Sequence, residues 1–162
     1  MADVLVALGG NMGDVRASFA RAIPIICQRT DATLLGRSFD YRTPPWGDER
    51  QPAFINACIR IDTPCEPRPL LSILLSTERE FGRDRTMQRR WGPRPLDLDL
   101  LVYGDLVCDE PDLTLPHPRL FERAFVLVPL ADIAPDRLIA GRTVKSALAG
   151  LSTEGIERLR QQ

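Results

Sequence analysis

Residues 90–104 read RWGPRPLDLDLLVYG, a stretch that joins an arginine-bearing segment directly to an apolar strand with two aspartates. Leucine alternates with aspartate at its centre, which is the period-two pattern of a strand with one buried face. Asp97 and Asp99 would therefore project together, roughly 6 to 7 Å apart along the chain. The alternating leucines would enter a core: Leu96, Leu98 and Leu100.

Two aspartates at this spacing are a weak signal by themselves, because a half-exposed strand often carries aspartates on its polar face. Here they directly follow a cluster of arginines: Arg79, Arg83, Arg85, Arg89, Arg90 and Arg94. Arginine binds phosphate bidentately and keeps its charge, and magnesium prefers carboxylate oxygens together with substrate phosphates. The combination predicts a phosphate-transfer site in which Asp97 and Asp99 bind two magnesium ions. Arg83 and Arg94, which flank the loop, are the first candidates for a catalytic role.

The composition favours one ordinary enzyme domain over residues 1–162. The chain has 44% hydrophobic and 27% charged residues, and no apolar run is long enough to cross a bilayer. No basic segment precedes the first apolar run, so we expect a cytoplasmic protein without a membrane partner. The formal net charge of -1 argues against nucleic-acid binding. We also expect a monomer.

Hydrophobic periodicity and turn residues predict the order strand, helix, strand, strand, helix, strand. This is the split βαβ order of an α+β fold, in which a mainly antiparallel sheet carries helices on one face. The polar loop before Trp91 is expected to be mobile and to close over a nucleotide. The predicted elements are strands over 3–9, 33–42, 54–61, 96–102 and 106–108, a helix ending near Cys27, a helix with Pro69 in its first turn that stops at Gly82, a helical turn at 118–122, an apolar segment at 125–130, and helix beyond Thr143.

Some single residues have two interpretations. Trp91 is either a core residue or a residue that covers the nucleotide. A lone histidine is usually structural, but His117 lies in the rigid sequence LPHPR with Arg123 nearby, which favours a phosphate contact. The glycine-rich GGNMGD after the first strand has no phosphate-loop lysine, so it is interpreted as a turn with Asp14 as a helix N-cap.

A second group of residues suits a planar heterocycle with several hydrogen-bonding edges. The sequence TPPW at 43–46 offers rigid backbone, Asn56 offers an amide, and Phe54 and Phe125 offer flat rings. Each phenylalanine alone would be assigned to the core. Only the combination favours a binding pocket.

Taken together, the motifs resemble the 6-hydroxymethyl-7,8-dihydropterin pyrophosphokinase family, which transfers the β,γ-diphosphate of ATP to a pterin alcohol in folate biosynthesis and releases AMP. The resemblance runs along nearly the whole chain. Its motifs are LGGNMGD, YRTPPWG, FINA, EREFGRDR, RWGPRPLDLDLLVYG and LPHPRLFERAFVLVPLADIAPD.

The resemblance implies a ferredoxin-like fold with long mobile loops, a cleft for ATP with two Mg²⁺ ions, and a neighbouring pterin pocket. Asp97 and Asp99 would bind both metals. The implied ATP contacts are Glu78, Arg83, Arg85, Trp91, Arg94, Leu100, His117 and Arg123. The implied pterin contacts are Thr43, Pro44, Trp46, Phe54, Asn56, Asp97 and Phe125.

Two other functions stay open at this point. One is a different magnesium-dependent nucleotidyl or phosphoryl transferase, which would release pyrophosphate or ADP. The other is a non-enzymatic ferredoxin-like module that binds RNA, although no aromatic RNA-binding run is present.

Overall fold

The structure, a computed structural model, describes residues 1–45, 50–82 and 94–161. In chain order its elements are β1 (Ala2–Gly10), α1 (Val15–Arg29), β2 (Thr33–Arg37), β3 (Tyr41–Thr43), β4 (Phe54–Thr63), α2 (Pro67–Glu80), β5 (Asp97–Tyr103), β6 (Cys108–Glu110), β7 (Leu113–Leu115), a 3-10 turn (Leu120–Glu122), α3 (Ala124–Ile133), β8 (Leu138–Ile139), β9 (Arg142–Thr143), α4 (Val144–Ala149) and β10 (Glu157–Arg158).

The main sheet is antiparallel at every described pairing, with β4 at its centre and β1 between β4 and β5. Its strand order is β10-β3-β4-β1-β5, and β2 also pairs with β4. The predicted mainly antiparallel sheet is therefore confirmed. No helix within the described ranges has the length and apolar character needed to span a membrane.

Helices cover both faces of the sheet, so the expectation of helices on one face is wrong. Val4, Val6 and Leu8 of β1 pack with α1 and α2, whereas Leu5 and Ala7 pack against α3 on the opposite face. The reason is visible in the composition of β1: every residue from 4 to 8 is apolar, and a strand of this kind needs cover on both sides.

The predicted helices form with small shifts in their ends. Asp14 caps α1 by accepting the Ala17 backbone N–H at 3.1 Å, so the strand-to-helix turn forms as the GGNMGD motif predicts. The helix continues past Cys27 to Arg29. Pro67 begins α2, where the missing N–H of proline costs no helical hydrogen bond, and Pro69 lies in the first turn as predicted.

Several strand predictions need correction. The strand predicted over 33–42 is broken into β2 and β3, because buried Asp40 between them accepts hydrogen bonds from Arg16 and Arg37. The short strand predicted at 106–108 begins only at Cys108 and pairs with β7. Sequence periodicity did not indicate β10, because two exposed residues carry no pattern.

Candidate functional site

A cavity opens on the α3 face of the sheet, beyond the N-terminal end of that helix. Cys58 of β4 and Ala7 of β1 lie in the core under α3, but α3 begins only at Ala124. Farther along the same strands, the same face is left open. The cavity is lined by Ala7, Leu8, Gly9, Thr43, Pro44, Phe54, Asn56, Arg94, Asp97, Asp99, Arg123, Phe125 and Val126.

Two carboxylates form one wall of this cavity. Asp97 pairs with Gly9 of β1, and Asp99 pairs with Ala7, so each aspartate stands beside a residue with little or no side chain. Both aspartates are half-buried and line the cavity, while the intervening Leu98 is 2% exposed and lies in the opposite core. The alternation in the sequence thus places two acidic groups on one open face.

Arg94 brings a positive charge against these carboxylates. Its Nη1 lies 3.1 Å from Asp97 Oδ2, and both side chains are 18% exposed. Its Nε is buried and has no hydrogen-bond partner within the described part of the chain. The guanidinium therefore has donor capacity beyond the ion pair, as an anion-binding arginine requires.

Asn11 holds the Arg94 segment in place, and sequence reasoning missed it. Its backbone N–H donates to Arg94 O at 2.8 Å, and its Oδ1 accepts the Arg94 N–H at 2.7 Å. Its Nδ2 donates to Gln51 Oε1 at 2.9 Å and to Pro52 O at 3.0 Å. Asn11 thereby joins two loops that border the cavity strands. An asparagine after two glycines resembles an ordinary turn residue, so its sequence gave no sign of these long-range contacts.

The other wall carries an amide and two aromatic rings. Asn56 Nδ2 donates to Thr43 Oγ1 at 2.8 Å, and both residues are buried. Asn56 Oδ1 lies over β1, where only glycine fits, because a Cβ on Gly9 would come within 2.8 Å of that oxygen. Phe54 and Phe125 line the same cavity. Polar edges and flat rings together suit a planar heterocycle.

Arg123 closes the cavity at the start of α3. Its backbone forms the N-cap of the helix, and its guanidinium lies 5.6 Å from the centre of the Phe125 ring. A cation beside the N-terminal end of a helix favours an anionic ligand at this point.

His117 interacts electrostatically with Arg123 and Asp97, although it does not line the described cavity. The His117 backbone N–H donates to Leu101 O at 2.8 Å, and the ring Nδ1 accepts the Arg119 backbone N–H at 3.1 Å. Burial lowers the pKa of His117 to about 4, with Arg123 lowering it further and Asp97 opposing the shift. The ring is therefore neutral near pH 7 and carries its proton on Nε2, the nitrogen left to donate to a ligand.

The chain has only one histidine, which makes its titration directly measurable. We expect the imidazole protons to titrate in NMR near pH 4 in the folded protein, well below the ordinary 6.5. Because the unfolded chain takes up this proton first, the free energy of unfolding should fall as pH drops from 7 towards 4, by up to about 3 kcal/mol. His117→Asn should flatten this dependence. A midpoint near 6.5 would contradict the burial of the ring.

Two predicted ATP contacts lie away from the cavity. Glu78 is 1% exposed, and its carboxylate accepts the Leu98 N–H at 2.6 Å from the core side of β5. The Leu100 side chain lies in the core with α1 and α2. Both stay predictions for the nucleotide site. Four other predicted residues lie outside the described residues: Trp46, Arg83, Arg85 and Trp91.

The metal prediction depends on the two aspartates alone. Across the described ranges, no three His, Cys, Asp or Glu side chains come together as a complete ligand set. Asp97 and Asp99 nevertheless fit magnesium, which usually takes one or two carboxylates and completes its shell with water and substrate phosphates.

The chain is similar to known proteins along most of its length. Residues 5–135 match the family model described as 7,8-dihydro-6-hydroxymethylpterin-pyrophosphokinase. The 2-amino-4-hydroxy-6-hydroxymethyldihydropteridine pyrophosphokinase of Methylorubrum extorquens is 48% identical over 159 residues, which cover 98% of this chain and 99% of that one. The enzyme of the same name from Pseudomonas aeruginosa is 43% identical over 96% of each chain.

Solved structures give the same fold. An HPPK-DHPS chain crystallised with substrates has a TM-score of 0.70 at 11% identity, covering 91% of this chain. Plasmodium falciparum HPPK-DHPS with pteroate has a TM-score of 0.71 at the same identity and coverage. This chain spans less than half the length of those solved chains, 43% and 44%. From the family model and the relatives, the chain belongs to the 7,8-dihydro-6-hydroxymethylpterin-pyrophosphokinase family.

Proposed function

We propose that the described cavity performs the reaction of this family: transfer of the β,γ-diphosphate of ATP to the hydroxymethyl group of 6-hydroxymethyl-7,8-dihydropterin, with release of AMP. The chain is an ATP-dependent diphosphotransferase of folate biosynthesis. The observation that supports its assignment to this cavity is the presence of the β5 carboxylates and the Asn56–Thr43 pair on the walls of one cavity. The first suits metal and phosphate, and the second suits a flat heterocycle.

The pterin is proposed to lie between Phe54 and Phe125, with Asn56 and the backbone around Thr43 and Pro44 on its hydrogen-bonding edge. The Asn56–Thr43 hydrogen bond fixes the amide, so Asn56 presents Oδ1 in one orientation. A buried polar group that is held in this way discriminates strongly against ligands that leave it unpaired. Trp46 remains part of the proposed pocket, outside the described residues.

ATP is proposed to lie on the β5 side, with its triphosphate near Asp97 and Asp99. These residues would hold two Mg²⁺ ions, which supply charge neutralisation for the triphosphate and the attacking oxygen. Arg94 and Arg123 would bind phosphate oxygens, and His117 would donate from Nε2. The other proposed nucleotide contacts are Glu78, Arg83, Arg85, Trp91 and Leu100.

Catalysis in this proposal is mainly positioning and electrostatic stabilisation. The pterin wall aims the hydroxymethyl oxygen at the β-phosphorus, in line with the departing AMP. Arg94 would then exchange its contact with Asp97 for oxygens of the migrating diphosphate. A guanidinium binds such oxygens bidentately and would stabilise the negative charge of the transferred group.

The finer description of the protein is also a proposal. We place residues 1–162 in one domain with a ferredoxin-like split βαβ core, supported by the order β3-β4-β1-β5 with α1 and α2 on one face. The active-site loops are proposed to be mobile. We also propose a monomer in the cytoplasm without nucleic-acid partners; the formal net charge of -1 supports the last of these three proposals.

Gly10 offers a test of how the Arg94 segment is positioned. A Cβ at Gly10 would come within 2.7 Å of Pro95 O, a backbone atom that cannot rotate away. Gly10→Ala should displace Arg94 from Asp97 and lower kcat about 10- to 100-fold, since a 1 Å misplacement can cost that much. Steady-state kinetics measure the effect. Gly150→Ala is the control, because its Cβ would meet only Ala147 O at 3.7 Å, and equal losses in both variants would contradict the proposal.

The proposed reaction is tested by identifying its nucleotide product. The purified chain is mixed with ATP, magnesium and 6-hydroxymethyl-7,8-dihydropterin, and the products are separated by chromatography. AMP and the pterin diphosphate should appear in equal amounts and only when the pterin is present. Release of ADP or pyrophosphate would instead indicate one of the other transferases. No turnover would contradict the proposal.

A further inference from the structure

The C-terminal segment 155–160 lies against the strand that leads into the pterin wall, yet it lies beyond the family match at residues 5–135. Within it, β10 pairs with β3 and closes that edge of the sheet, with Glu157 opposite Arg42. Leu159 donates its N–H to Asp40 O at 2.9 Å, and the Arg158 guanidinium lies 4.7 Å from the centre of the Phe39 ring. The segment therefore follows β3 along its whole length.

Its closest approach to the proposed pterin pocket is at Pro44. Gly155 has a φ of +82°, and a Cβ there would lie 2.8 Å from Pro44 Cγ and 3.4 Å from Pro44 Cδ. A glycine is needed at this position both for the left-handed backbone and for the space. Pro44 follows β3 directly and lines the cavity, so the residue that Gly155 approaches is itself part of the pocket wall.

A neighbouring surface pocket also brings the C-terminal segment next to residues of the main cavity. Ile156 lines this surface pocket. The surface pocket and the main cavity share three lining residues, Thr43, Pro44 and Phe125. Ile156 of the C-terminal segment thus lies beside residues that also line the proposed pterin pocket.

We propose that segment 155–160 is a positioning element for the pterin pocket, acting through the contact of Gly155 with Pro44 and setting the distance between Pro44 and Phe125. This inference rests on the proposed function. The Arg42–Glu157 ion pair adds little to this anchoring, because both side chains are more than half exposed. Exposed pairs of this kind contribute little to stability.

Gly155→Ala tests the inference against a closely matched control, Gly141→Ala. Both glycines have a φ of +82°, but a Cβ at Gly141 would meet no atom within 4 Å. The two variants therefore share the backbone strain, and only Gly155→Ala pushes on Pro44. We expect Gly155→Ala to raise the KM for the pterin about tenfold with the KM for ATP changed less than about twofold, since a small misplacement of a binding wall is costly. Gly141→Ala should change neither KM.

A chain without the Pro44 ring isolates the contact between Gly155 and Pro44. In a Pro44→Ala chain the Cγ is absent, so adding Gly155→Ala should raise the pterin KM no further than Pro44→Ala alone. Equal rises for the pterin and ATP, a rise in the Gly141 variant, or additivity in the Pro44→Ala background would overturn the positioning role while wild-type turnover stands. Absence of AMP from the wild-type chain would overturn the proposed function and this inference with it.

Discussion

Asp97→Asn and Asp99→Asn should each lower kcat on the order of 10³-fold. Asparagine keeps the size of the side chain but removes the charge that holds magnesium against the triphosphate. A loss of about 4 kcal/mol of transition-state stabilisation corresponds to this factor, at 1.36 kcal/mol for each tenfold. Steady-state release of AMP at saturating ATP and magnesium measures it.

The fold should survive both changes, because the strand is held by its buried leucines and not by the aspartates. We expect the free energy of unfolding to change by about 1 kcal/mol or less, the size of a partly exposed ion pair. Asp109→Asn is the matched control, since Asp109 is an exposed strand aspartate on β6. Near-normal turnover in either cavity variant would show that the metal assignment is wrong.

Arg94→Ala should lower kcat about 10²- to 10³-fold, the usual cost of removing one group that stabilises charge in the transition state. Asn11 holds the Arg94 backbone and the guanidinium lies beside Asp97, so its removal takes a cation away from the cavity carboxylates. Arg94→Lys should recover only part of the rate, because an ammonium cannot bind an oxyanion bidentately.

Arg142→Ala is the control for Arg94→Ala. The Arg142 guanidinium stacks on Phe121 at 4.8 Å and takes no part in the cavity. Its removal should leave kcat within about twofold, as expected for a surface substitution. A full recovery of rate by Arg94→Lys would contradict bidentate phosphate binding and leave only a requirement for positive charge.

The sequence predicts those parts of the site that depend on local period. Alternation in β5 separates Asp97 and Asp99 from the leucines, and the same alternation in β4 places Phe54 and Asn56 on one face. The antiparallel sheet brings the two strands onto either side of β1, so both sets meet in one cavity. A local sequence pattern and a simple sheet topology are therefore sufficient to predict that these residues share one face.

The remaining features depend on contacts between distant parts of the chain. Asn11 binds a segment 83 residues away, and Arg42 pairs with Glu157 across 115 residues. No period or turn signal encodes such a contact, because each partner has an ordinary local sequence. The helical layer on the second face is a different case. The split βαβ order predicts one covered face, whereas the uninterrupted apolar run of β1 indicates that both faces are covered.

One cavity is proposed to hold both the pterin and a metal-bound triphosphate. Paramagnetic relaxation by Mn²⁺ in place of magnesium tests it, with a non-hydrolysable ATP analogue and the pterin both bound. The hydroxymethyl protons of the pterin should broaden strongly in the wild-type complex and recover in the Asp97→Asn, Asp99→Asn double variant. Sharp hydroxymethyl resonances in a wild-type complex that holds both ligands and Mn²⁺ would contradict a shared cavity.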